Sequence, residues 1–144
     1  GQPPEPKFCV EKSELEALFA VMNRVYLPGP VAEYIARLVN ASDPSSDGAT
    51  EMVRQFVQYG ASPRAAIAVA EAARGVAVLA GRPSVGFEDV REVALSALNH
   101  RILLNYKAKF EGITPGNVLN DVLKNTSETE LEFAGEIEIE ASGK

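Results

Sequence analysis

Residues 60–82 read GASPRAAIAVAEAARGVAVLAGR, and this stretch decides the fold. Ser62 and Pro63 have the form of a helix N-cap followed by a first-turn proline, whose missing N–H is no loss at that position. Gly81 supplies the left-handed stop that ends many helices. From Ala65 to Ala80 the residues are almost all alanine and valine, so the spacing predicts a slim helix that neighbours approach closely. Only Arg64, Glu71 and Arg74 break its apolar surface, and they fall on one side. A helix of this kind belongs at the centre of a bundle.

Amphipathic helices are predicted on both sides of it. Ser13 and Glu16 fit a capping box that opens a helix to about Val25, with Leu15, Leu18, Phe19, Met22 and Val25 at helical spacing. After Pro28-Gly29-Pro30, a second helix carries Val31, Tyr34, Ile35, Leu38 and Val39 on one face. Residues 42–49 (SDPSSDGA) are loop chemistry, and Met52, Val53, Phe56 and Val57 predict a short helix stopping near Gly60. Beyond Gly86 a helix is expected to about Tyr106, with Val90, Val93, Ala94, Ala97 and Leu98 inward. The last begins at Thr114-Pro115 and buries Val118, Leu119, Val122 and Leu123. The fold class is all-α: a small helical bundle around an Ala-rich helix, with room for a short strand or hairpin at the termini.

The organisation read from this pattern is a Pro-rich linker over 1–7, a helical body over 8–124 and an acidic tail over 125–144. Phe8, Cys9 and Val10 would form a short strand or anchor the linker to the core. In the tail, Leu131, Phe133, Ile137 and Ile139 alternate with glutamates, which suits either a β-hairpin or a solvated, mobile segment. The net charge of −6 resides mostly there, since six glutamates from Glu128 to Glu140 face only Lys144. Residues 1–125 hold thirteen basic and fourteen acidic groups. A near-neutral body with an acidic tail argues against nucleic acid as a partner, helix-turn-helix DNA binding included.

At 144 residues the chain is long enough for one domain with its own core. No apolar run approaches the ~20 residues that span a bilayer, and no secretory signal is evident, so a cytoplasmic protein is expected. Cys9 and His100 are single residues of their types, which leaves neither a disulfide nor a structural zinc site and no metal ligands to assign. His100 falls late in a predicted helix, where a cation suits the dipole. Neither GxxxxGK[ST] nor GxGxxG occurs, so the chain by itself holds no phosphate-cradling loop.

Arg64 goes against ordinary helix chemistry. In the first turn the macrodipole and free N–H groups already make a positive field, and a cation there needs something negative nearby. Two partners are open: a carboxylate such as Glu51 or Glu71, or a phosphate held jointly by the guanidinium and the helix N-terminus.

The order of short motifs then becomes recognisable. GASPRA at 60–65, AAR at 72–74, AGR at 80–82, VGFEDV at 85–90 and NHRI at 99–102 resemble the C-terminal lid of MoxR-type AAA+ ATPases. EYIARLV at 33–39 and EGITP at 111–115 extend the likeness over residues 8–124, with the lid of magnesium chelatase ATPase subunits as the nearest relative. The resemblance implies that Arg64 is the sensor 2 residue, reaching the γ-phosphate of ATP held on a P-loop core outside this chain. Ser62 and Pro63 shape that site. It also implies that Tyr34 and Ile35 pass near adenine, although both also fit the core as inward-facing residues at i and i+3/i+4 spacing. ATP or ADP with Mg would be bound by the intact enzyme, Mg ligands lying on the core, and the isolated chain would be inactive. A hexameric, chaperone-like ATPase partnered by a von Willebrand A-domain protein is the implied assembly. Two departures stand out. Gly86 replaces a common Thr or Ser cap, and Asn40-Ala41-Ser42-Asp43 stands where many relatives carry a basic Thr-Arg pair. The competing function is a non-enzymatic helical adaptor that binds a protein partner and has no need of a cation at the start of a helix.

Overall fold

The structure is a computed structural model that describes residues 3–5 and 9–129. Seven helices and two short strands follow one another there: α1 (Lys12–Met22), α2 (Gly29–Ala41), α3 (Glu51–Phe56), β1 (Val57–Tyr59), α4 (Arg64–Leu79), α5 (Phe87–Leu98), β2 (Leu103–Leu104), α6 (Tyr106–Glu111) and α7 (Pro115–Asn125). The bundle is helical, as its apolar periodicity requires.

α4 is the hub, packed on α5, α2 and α1. Ala65, Val69, Ala73 and Ala77 recur every fourth residue and are at most 1% exposed. Their small side chains let α5 lie close along the whole stripe. Gly81 takes φ 69°, and Arg82 N–H donates to the Ala77 carbonyl at 2.8 Å, closing the helix with the expected left-handed stop. The chain then turns into α5, where the side chain of Asp89 is fully buried. Its carboxylate takes two hydrogen bonds from the Arg82 guanidinium and a third, 2.8 Å long, from the Gly86 N–H. That staple fixes the α4–α5 corner and compensates for the absence of a capping hydroxyl at Gly86.

α2 buries all five predicted residues, Val31, Tyr34, Ile35, Leu38 and Val39. α7 buries Val118, Leu119 and Val122 and is capped by Thr114, whose hydroxyl accepts from Asn117 N–H at 3.2 Å.

Four expectations are corrected. The cap of α1 sits two residues earlier: Glu11 is the N-cap, and its N–H donates to the Glu14 carboxylate at 2.8 Å, leaving Ser13 inside the helix. The helix also ends at Met22, although Val25 is buried. α3 stops at Phe56 because Val57 to Tyr59 pair antiparallel with Leu103 and Leu104. For the same reason α5 stops at Leu98: the chain turns at Asn99–Arg101, buries Ile102, forms β2 and starts a new helix capped by Asn105. Asn105 also donates to the Gln55 carbonyl, so β2 and α6 are stitched to α3. The strands thus lie inside the body, and His100 is exposed in a turn beyond α5 rather than on a helix.

At the ends, Cys9 and Val10 are exposed and belong to no element. Asn125 completes α7, and the carbonyls of Ser127 and Glu128 accept hydrogen bonds from Arg37 of α2, while Arg91 of α5 pairs with the Glu128 carboxylate. The body therefore reaches past Lys124. Phe8, Leu131, Phe133, Ile137 and Ile139 lie outside the described residues.

Candidate functional site

The N-terminus of α4 is built from three chain segments. β1 delivers the chain to Gly60, the turn 60–63 reverses it, and Pro63 already has helical dihedrals, φ −54° and ψ −27°. The Ser62 carbonyl accepts from Ala65 N–H at 2.8 Å and the Pro63 carbonyl from Ala66 N–H at 3.1 Å, so the first turn is tight. Ser62 is exposed, and its hydroxyl makes no hydrogen bond to a described residue, so the expected side-chain cap is absent. With no N–H at 63 and the Ala65 N–H taken by the Ser62 carbonyl, the Arg64 N–H is left as the first-turn donor without a backbone partner among the described residues.

Arg64 stands exposed on this first turn. No described carboxylate lies within ion-pair distance of it. Glu71 is engaged elsewhere, by Arg74 at 2.8 Å, and Glu51 forms no salt bridge with a described residue. The carboxylate partners that would have made Arg64 structural are therefore not bonded to it. The N–H groups of Ser62 and Arg64 also make no backbone hydrogen bond with the described residues. A guanidinium and unpaired amides at one helix start form a donor set suited to an oxyanion.

Beside it runs a cleft of 220 Å³ lined by Ala36, Val39, Asn40, Asp43, Ala61, Pro63 and Ala66. Asp43 brings the one carboxylate of that lining, held below its ordinary range chiefly by hydrogen bonds from the Ser45 hydroxyl and N–H.

Tyr34 and Ile35 are placed differently from Arg64. They are 1% and 2% exposed, and the Tyr34 ring meets Phe87 edge to face with centroids 5.5 Å apart. Burial raises the Tyr34 hydroxyl above its ordinary value, against the opposing pull of Arg91 and Arg37. Both side chains belong to the core of the bundle. Among the described residues no three His, Cys, Asp or Glu side chains gather as a metal site would need.

Two residues that sequence reasoning passed over shape this site. Ser42 follows the end of α2 and is fully buried, donating to the Val39 carbonyl at 2.6 Å and accepting from Ala61 N–H at 3.0 Å. Gly60 packs so tightly that a Cβ there would fall 2.6 Å from the Ser42 carbonyl oxygen and 2.7 Å from the Asp43 backbone. Their contact joins positions eighteen residues apart, which no local pattern announces.

The profile of the AAA lid domain family matches residues 49–122, just over half of the chain. The chain belongs to the AAA lid family. It is 32% identical over 125 residues to the chaperone MoxR1 of Mycobacterium tuberculosis, covering 87% of this chain and 33% of that protein. It is 34% identical over 90 residues to the uncharacterized protein YeaC of Bacillus subtilis, covering 59% of this chain and 28% of the other. A crystal structure of a candidate ATPase from Cytophaga hutchinsonii superposes with a TM-score of 0.76 at 34% identity, over 81% of this chain and 35% of that one. The chain thus spans about a third of the length of these relatives. Together the matches identify it as the C-terminal lid of a MoxR-type AAA+ ATPase. Its lid matches from Ala49 onward, so the α4 start with Arg64 lies inside the matched segment. No described helix is long and apolar enough to cross a membrane.

Proposed function

We propose that the lid contributes Arg64, as the sensor 2 arginine, to ATP bound on the P-loop core of the same protein, and that hydrolysis is sensed as movement of lid against core. One observation carries this reading: Arg64 is exposed, unpaired with any described carboxylate, and set on a helix start where its own N–H makes no backbone hydrogen bond with the described residues. A fork of donors on a positive helix end is wasted on solvent but well matched to a phosphate. Bound ATP with Mg supplies the reacting γ-phosphate. The lid's share is to orient it and stabilise its charge through Arg64, with Ser62 and Pro63 forming the turn that presents the guanidinium.

The reading extends, from the family likeness, to a chaperone-like enzyme in a cytoplasmic hexameric ring with a von Willebrand A-domain protein as partner. The adaptor alternative uses the same bundle as a docking module. It leaves unexplained an Arg64 that pairs with no described carboxylate.

The 144-residue chain alone is expected to show no ATP turnover, because hydrolysis needs Mg ligands and a positioned water that a lid does not bring. The ATPase that carries the lid should turn over, and its Arg64→Lys variant should keep much of its ATP affinity while losing turnover, since lysine keeps the charge but not the fork. Turnover by the isolated chain that a substitution within it abolishes would overturn the proposal.

A further inference from the structure

We infer that Ser42 is a positioning residue for Arg64, a role that rests on the sensor reading above. The carrier of this inference is the buried contact between the end of α2 and the turn ahead of α4. Among the described residues Ser42 is the one buried serine or threonine. It bridges two backbones, donating to Val39 in the last turn of α2 and accepting from the amide of Ala61, three residues before Arg64. Gly60 lets the two strands of chain touch: any side chain there would collide with Ser42 and Asp43 backbone atoms. Ala61 and Ala65, on either side of the exposed Ser62-Pro63-Arg64 turn, are 8% and 0% exposed. The turn is thus held at both feet by buried residues, and the hydroxyl is its polar anchor to α2.

The chemistry explains why a hydroxyl is needed. The Ala61 N–H is buried and has no other partner among the described residues. Alanine at 42 would orphan it, and the turn would shift to recover a bond with water. Arg64 would move with the turn while its own side chain stayed intact. Displacement of about 1 Å in a catalytic constellation is enough to cost up to a hundredfold in rate. A smaller shift, carried three residues along the chain, is expected to lower turnover roughly three- to tenfold, with ATP affinity less affected.

The test compares Ser42→Ala, Arg64→Ala and the double variant in the intact ATPase, measuring ATP affinity, turnover per folded molecule, and exchange of the Ala61 amide. Ser42→Ala should lower turnover, speed Ala61 exchange, and have no further effect on turnover once Arg64 is alanine. If Ser42→Ala costs the same factor in both backgrounds, Ser42 is a structural residue only and the inference fails. It fails also if turnover is unchanged while Ala61 exchange rises. If instead Arg64→Ala alone leaves ATP handling intact, the sensor reading itself has fallen. Should Ser42→Ala not fold, Ser42→Cys keeps the volume and weakens both hydrogen bonds, and gives the same comparison.

Discussion

α4 and α1 look alike in the sequence and differ in the molecule. Each has an apolar stripe at helical spacing between polar residues. In α4 the stripe of Ala65, Val69, Ala73 and Ala77 vanishes under α5 and α2. In α1 no residue is buried: Leu15, Leu18 and Phe19 are 42%, 39% and 55% exposed, and the helix touches the body through α4, where Met22 lies against Gly75. Periodicity states which face of a helix is apolar. Whether that face is covered depends on what else packs there, which is a property of the whole fold. The small residues of α4 draw neighbours in, whereas the large ones of α1 are left standing above the surface.

Substitutions in the two stripes should therefore have opposite weights. Ala73→Leu inserts three carbons where α4 and α5 touch, and overpacking of a tight core should destabilise by about 1 to 3 kcal/mol. Unfolding by denaturant measures this, and a neutral outcome would mean that the α4–α5 contact is looser than its burial indicates. Next in size is the staple at the end of the same helix. The Arg82 hydrogen bond holds the Asp89 carboxyl below its ordinary value of 3.8, outweighing the opposing cost of burial. A depressed carboxyl stabilises the fold above its unfolded value and loses that contribution as pH falls through the folded one. Asp89→Asn should therefore lower the melting temperature by a constant amount at neutral pH. The gap to the wild type should close below about pH 3.8. A gap that persists undiminished into acid would remove the ion pair from the account. Smallest of all is Phe19→Ala on α1, expected to stay within ~0.5 kcal/mol in the 144-residue chain. A loss of several times that would show the α1 face covered after all.

Much of the bundle was legible because helices announce themselves locally. The α2 face, the α4 stripe, the Gly81 stop and the Thr114 cap all follow from residues within a few positions of one another. The misplacements have a shared cause. Val57 to Tyr59 and Leu103-Leu104 carry no strand pattern of their own, and their pairing spans more than forty residues. The overlong helix from Gly86 to Tyr106 is the same error seen from the other side. At the site, Arg64 stood out because a cation on a first turn contradicts helix electrostatics, while Ser42 and Gly60 stayed hidden since their meaning lies in a contact between distant segments. Tyr34 and Ile35 carry two readings at once: the family likeness points them toward a ligand, while their spacing fits the core in which both are buried.

The central claim is that α4 serves two purposes, its buried stripe for the fold and its exposed Arg64 for phosphate. Melting and ATP turnover measured side by side for wild type and Arg64→Ala in the intact ATPase test this most directly. Stability should change by no more than ~0.5 kcal/mol, as for other surface positions. A charged contact to phosphate is commonly worth about 1.5 to 3 kcal/mol, so nucleotide handling should fall roughly ten- to a hundredfold. A sharp drop in melting temperature with unchanged turnover per folded molecule would contradict the account and make Arg64 a structural residue.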